Sequence, residues 1–213
     1  MEIYKVMSPI ITHQDELELA STEKELASQF KKMAKAQSDL IDSQKKYADN
    51  LRKANLARDM LNRTFRDVLK QMQTLVREKR SNIKDEEVKY FQDIIHKNDE
   101  YINVNNKYID SIKDLAIKKE YLVEKKHEFA SALSEVASKR SVVIKKALSV
   151  EKKKNDLIEG EKIKILESEL NDLQRDFDRA RDVLLKKISQ FLDVKNEVDD
   201  LWINLKNSVN KSS

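Results

Sequence analysis

From Gln14 to the C-terminal residues the chain contains no proline and a single glycine, Gly160. Sheets with tight turns and compact globules need both residues repeatedly, so this absence leaves long helices as the available structure. The helices need seams, and the 39% apolar residues supply them periodically. From Leu26 the positions 26, 30, 33, 37, 40, 44, 47, 51, 54, 58, 61, 65, 68, 72 and 75 alternate by four and three, with only Gln37, Gln44 and Arg58 polar. This pattern predicts a coiled-coil helix from about residue 14 to about residue 80.

A second helix is expected from about 84 to 155, with Ser81-Asn82 ahead of Asp85-Glu86-Glu87 as its start signal. It carries two apolar stripes. One follows Ile94, Tyr101, Tyr108, Leu115, Leu122, Phe129, Val136, Val143 and Val150; the other follows Ile95, Ile102, Ile109, Ala116, Val123, Ala130, Ala137 and Ile144. Two stripes require neighbours on more than one side. Gly160 suits a left-handed helix end and marks the expected turn. A third helix, 161–207, follows with its seam on Ile163, Leu166, Leu170, Leu173, Phe177, Ala180, Leu184, Ile188, Phe191, Val198 and Leu205. One continuous helix from about 84 to about 207 is the competing geometry. Residues 1–14, interrupted by Pro9, read as a linker, with Thr12 and Asp15 forming a capping box at its end.

Function is read mainly from charge. Basic pairs recur every seven residues at Lys118-Lys119, Lys125-Lys126, Lys139-Arg140, Lys145-Lys146 and Lys152-Lys153-Lys154, missing one beat at Ala132-Leu133. Seven residues are close to two helical turns, so each series runs along one edge of a rod. The seven-residue series Lys118, Lys125, Lys139, Lys146 and Lys153 lies at the solvent edge of the apolar stripe. Lys119, Lys126 and Arg140 fall between the two stripes, where a partner carboxylate or a snorkelling pose is expected. Residues 111–154 hold twelve Lys or Arg against six Asp or Glu. Lys145, Lys152, Lys154, Lys162 and Lys164 add to the solvent-edge series around Gly160, which makes this end the candidate for contact with an anionic membrane. Lysines flanking an apolar seam also occur in ordinary coiled coils, as a solvated border.

Other chemistry is poorly supplied. Glu124-x-x-His127 and Asp93-x-x-His96 place a carboxylate and an imidazole one turn apart, but they lie 31 residues apart on one helix and read as surface pairs. With no cysteine, no glycine-rich phosphate loop and no catalytic set, neither a cofactor nor an enzyme activity is expected. A basic stripe alone gives only nonspecific attraction to nucleic acid, which is therefore not an expected partner. The absence of a membrane span or signal sequence points to a cytoplasmic protein.

The layout of three long antiparallel helices with a lysine-flanked second turn resembles the BAR domain. Glu169 to Ala180, continuing through Leu184, Ile188 and Phe191, is similar to the last BAR helix of the sorting nexins, and Glu16 to Leu51 to their first helix. The resemblance covers most of residues 15–207 and rests on pattern; residues 1–14 leave no room for the phox-homology domain of such sorting nexins, so a piece of a longer protein or a BAR-only relative is expected, and the segment after Phe191 is shorter than their usual ending. It implies an all-α coiled-coil bundle forming an elongated curved homodimer or heterodimer. It further implies binding to phosphoinositide-containing endosomal membrane, tubule stabilisation in protein transport, and work with a retromer-like coat. A coiled-coil scaffold or tether without lipid binding is the alternative.

Overall fold

The computed structural model describes residues 12–78, 82–155 and 160–210. The leading residues 1–11, Ser81 and the connection at 156–159 lie outside that description. Three helices account for almost all of the described chain: α1 (His13–Arg77), α2 (Asp85–Asn155) and α3 (Gly160–Asn210). The stacking of Phe129 of α2 on Phe191 of α3 and the pairing of Lys146 with Glu169 exclude a single rod from 84 to 207. Gly160 itself is the first residue of α3, with open space where a Cβ would stand, and not the left-handed terminus of α2.

The start of α1 is capped as its sequence suggests. Thr12 N–H donates to Asp15 Oδ2 at 2.7 Å, and Asp15 N–H donates to Thr12 Oγ1 at 3.2 Å, which occupies two amides that the helix cannot pair internally. The Thr12 bonds hold the Asp15 carboxyl below the usual carboxylate range. At α2 the first-turn acids Asp85, Glu86 and Glu87 stand as expected, and one of them takes the capping role. The Lys84 N–H donates to Glu87 Oε2 at 3.0 Å, so the carboxylate three residues on closes the helix start and Asn82 takes no part in it.

The chain divides into two compact units: Met1–Ser38 with Tyr121–Asn196, and Asp39–Glu120 with Glu197–Ser213. In the first, Ala27, Ala132, Leu133, Val136, Phe177, Ala180 and Leu184 form the core. Phe129 stands between two rings, edge-on to Phe30 at 5.0 Å and stacked on Phe191 at 5.9 Å, so all three helices meet at one aromatic layer. In the second unit Ile109, Ile112, Leu115 and Ala116 of α2 are buried, as are Val198 and Leu205 of α3. Apart from Tyr101, which is exposed, both stripes of α2 and the seam of α3 face inward as expected.

The seam of α1 requires correction. Its fully buried positions are Ala20, Ala27, Ala34, Ile41, Ala48, Asn55 and Asn62, on a strict seven-residue repeat. Of the expected seam, Phe30, Gln37, Gln44, Leu51, Phe65 and Met72 are half-buried, whereas Leu26, Met33, Leu40, Tyr47, Leu61, Val68 and Leu75 are exposed. Apart from Ile41 these are small side chains, and packing on them leaves the larger residues one step further round toward solvent. Hydrophobicity ranked the large residues first, while proximity selected the small ones.

Two of those buried positions are asparagines, and both are saturated. Asn62 Nδ2 donates to Ile95 O at 3.1 Å and Asp99 Oδ1 at 2.7 Å, and Asn98 donates to Asn62 Oδ1 at 3.4 Å. One heptad away, Asn55 Nδ2 donates to Ile102 O at 3.3 Å and Asn106 Oδ1 at 3.1 Å, while Asn105 donates to Asn55 Oδ1 at 3.3 Å. These layers fix how α1 and α2 align in this unit, because an unpaired buried amide costs about 1 to 3 kcal/mol.

Candidate functional site

Five of the solvent-edge lysines are held in ion pairs. In the second unit Lys118 Nζ lies 2.7 Å from Glu197 Oε2. In the first, Lys139 lies 3.6 Å from Asp176, Lys146 is paired with Glu169, and Lys154 lies 2.5 Å from Glu167. Lys125 takes Glu128 on its own helix at 2.9 Å, and Lys187 of α3 takes the other oxygen of Glu128 at 2.7 Å. Lys118, Lys139 and Lys146 of the seven-residue series are therefore one side of an ion-pair ladder between antiparallel helices.

The missed beat has the same origin. On α3 the residues at seven-residue spacing are Glu169, Asp176, Val183, Gln190 and Glu197, read in the opposite direction to Lys146, Lys139, Ala132, Lys125 and Lys118. Antiparallel alignment brings the gap at Ala132 to the level of Val183, and Lys125 to the level of an uncharged Gln190. Lys125 accordingly turns to Glu128 instead, and Gln190 Oε1 is buried with no hydrogen-bond partner among the described residues. The acidic spacing on α3 was the available signal for these partners; reading α2 alone missed it.

Lys187 first, and then Lys125, hold the Glu128 carboxyl below its ordinary value of 4.5. Its folded-state pKa is lower than its unfolded one. The stabilisation is therefore complete above the unfolded value and is lost as pH falls through the folded value. Glu128→Gln is expected to flatten the decline of melting temperature below about pH 4.5, measured by circular dichroism.

The second stripe behaves as its position between the apolar stripes predicts. Lys126, buried, donates to Gln37 Oε1 and lies 5.9 Å from the Phe191 ring. Lys119 donates to Gln44 Oε1 at 3.2 Å and lies 5.3 Å from the Trp202 ring. Arg140 lies 5.1 Å from the Phe177 ring and binds Glu23 through two nitrogens at 3.1 and 3.0 Å, and Glu16 at 2.6 Å. Each layer repeats one recipe: a cation from α2, an acceptor from α1 and a ring from α3. Burial draws the Lys119 and Lys126 amines below the ordinary lysine range, because a glutamine cannot repay the loss of water as a carboxylate does. Burial also acts on Arg140, but Glu23 and then Glu16 outweigh it and raise the pKa. Lys126→Met is expected to raise the unfolding free energy by about 1 kcal/mol in urea titration, since an apolar isostere removes an uncompensated buried charge.

Removing the paired residues isolates a remainder. Lys145, Lys152 and Lys164 are exposed and Lys153 is half-buried, and none of them forms an ion pair among the described residues. Lys162 is also exposed but makes a contact of its own. The unpaired four occupy the last turns of α2 and the first turn of α3, within one unit. Lysines 152–154 also sit at the C-terminal end of α2, where the partial negative charge of the helix favours cations.

Chemistry of other kinds is not assembled here. His96 bonds to Glu100 at 3.2 Å, and both it and His127 are exposed. No cluster of three or more metal-ligating side chains occurs among the described residues. No helix is long and apolar enough to cross a membrane among those residues.

No family model, curated protein or solved structure matches the chain.

Proposed function

We propose that the chain is a peripheral membrane-binding protein of BAR type, which associates as a dimer and grips anionic lipid with the lysines where α2 ends and α3 begins. The observation that carries this reading is the division of the lysines into two classes. Lys118, Lys139 and Lys146 along the α2–α3 edge are neutralised by α3 carboxylates, whereas Lys145, Lys152, Lys153 and Lys164 form no ion pair among the described residues. Positive charge without an internal counterion attracts an external one, and each lysine near an anionic leaflet contributes about 1 kcal/mol. Two such ends in a dimer add through effective concentration.

Sensing of curvature, stabilisation of tubules, endosomal sorting and a retromer-like coat belong to this proposal through the family resemblance alone. The direct test is co-sedimentation with liposomes containing phosphatidylserine or phosphoinositide, set against neutral liposomes. Binding that requires anionic lipid and weakens with salt supports the reading. Failure to sediment with any anionic liposome overturns it and favours the alternative, a coiled-coil scaffold or tether. The exposed apolar positions of α1 are what that alternative would use.

A further inference from the structure

In the first unit α1 carries a second seam. Leu19, Thr22, Leu26, Gln29, Met33 and Ala36 alternate by three and four along it, and all of them are exposed and uncharged in a chain of which 38% is charged. They lie on the side of α1 opposite Ser21 and Lys24, which stand beside Ala137 and Ser138 of α2. A solvated face would carry charge at some of these positions, whereas a face spaced and composed in this way receives a helix.

α3 supplies a second wall beside this seam. Arg140 sets Glu23 level with Phe177, and Lys126 sets Gln37 level with Phe191, so Met33 is level with Ile188. Ile188 packs on the core from outside. Leu185 and Leu192 flank it, 58% and 47% exposed, on the side of α3 away from Glu169 and Asp176, which face α2. Leu26 and Met33 line the α1 wall, 44% and 52% exposed.

Toward the start of α1 the rim of this groove is acidic. Glu18 and Glu25 border the α1 wall, and Asp178 and Asp182 border the α3 wall at neighbouring levels. None of the four is in an ion pair among the described residues; Glu18, Glu25 and Asp178 accept from the uncharged Gln14, Gln29 and Gln174. The cations beside them are Arg181 and Arg175, and Asp172 already holds Arg175.

We infer that this groove docks a basic amphipathic helix of a partner protein, with apolar residues over Leu26, Met33, Leu185 and Leu192 and with lysines or arginines between Glu25 and Asp182. Charge selects this occupant, because the rim carboxylates attract a basic helix and repel an anionic leaflet. Docking here is therefore separate from lipid contact. Length agrees: the seam from Leu19 to Ala36 spans about 26 Å, which a helix of about 18 residues covers with anchors on successive turns.

Fluorescence anisotropy in lipid-free buffer, with labelled peptides of about 18 residues, tests the docking. Both peptides carry a leucine seam, bordered by lysine in one and by glutamate in the other. The lysine peptide is expected to bind at least about tenfold more tightly than the glutamate peptide, and to weaken as salt rises. Met33→Glu with Leu192→Glu should weaken its binding by about 100-fold while helical circular dichroism is retained. Glu18→Lys, Glu25→Lys and Asp182→Lys together should reverse the preference between the peptides, which adhesion to apolar surface alone would not do. No binding of the lysine peptide, equal binding of both peptides, or binding that Met33→Glu with Leu192→Glu leaves unchanged overturns the inference. Self-association of the wild type that this same variant abolishes also overturns it, and assigns the groove to a second copy.

Discussion

Changing Lys145, Lys152, Lys153 and Lys164 together to Glu is expected to weaken binding to anionic liposomes by about 100-fold, or about 3 kcal/mol, on the scale of about 1 kcal/mol per lysine. The comparison that gives this result meaning is a second set, Lys118, Lys125, Lys139 and Lys146 changed to Gln. Those amines face Glu197, Glu128, Asp176 and Glu169. Their neutralisation should alter liposome binding by no more than about twofold, because their charge is already screened at short range. Glutamine is the suitable replacement in that set. Glutamate at 118, 139 or 146 would oppose the α3 carboxylates directly and confuse loss of binding with loss of fold. Melting curves of both sets provide the control. Equal losses in the two sets would remove the α2–α3 corner as the site.

The largest effect on stability is expected at Arg140. Its guanidinium is 18% exposed and spans two carboxylates from different turns of α1, with Glu23 held through a two-pronged contact. Arg140→Met should cost about 2 to 4 kcal/mol in urea denaturation, because it leaves Glu16 and Glu23 without a cation in a largely enclosed place. Arg140→Lys keeps the charge but cannot reach both acids with one ammonium, and should lose about half as much. Adding Glu16→Gln and Glu23→Gln to Arg140→Met should recover most of the loss, since the uncompensated charges are then gone. If the triple variant is no more stable than Arg140→Met, the cost lies in packing against Phe177 and not in charge. By contrast, Lys139→Gln, on the exposed ladder, should change stability by no more than about 0.5 kcal/mol.

The sequence disclosed these features unequally. Helix number and bounds followed from the scarcity of glycine and proline, and the α2 and α3 seams from large apolar residues that are indeed packed inward. The α1 seam did not, because alanine and asparagine carry little hydrophobic signal, although they fill six of the seven buried positions of that helix. The stripe containing Lys119, Lys126 and Arg140 was placed correctly from its angle on the helix. The other lysine stripe was placed at the right edge, but its carboxylate partners lie 13 to 79 residues away along the chain in Glu167, Glu169, Asp176 and Glu197, apart from Glu128 on the same helix. Only reading α3 backwards against α2 reveals them. An attractive periodicity of charge thus described folding first, and the residues left over describe what the surface can hold.

The paired asparagine layers carry a further meaning for how the chain can vary. In an ordinary coiled coil a duplicated heptad is silent, since every seven-residue step resembles the last. Here a one-heptad shift of α1 would bring Asn55 to the pocket that Asn62 occupies and leave Ala48 facing Asn105 and Asn106 without an amide to answer them. Asn62 would move to the level of Val88, where Phe91 and Gln92 stand in place of Asn98 and Asp99. The hairpin therefore measures its own length, and insertions between the two layers are excluded even when they preserve the phase of every apolar stripe.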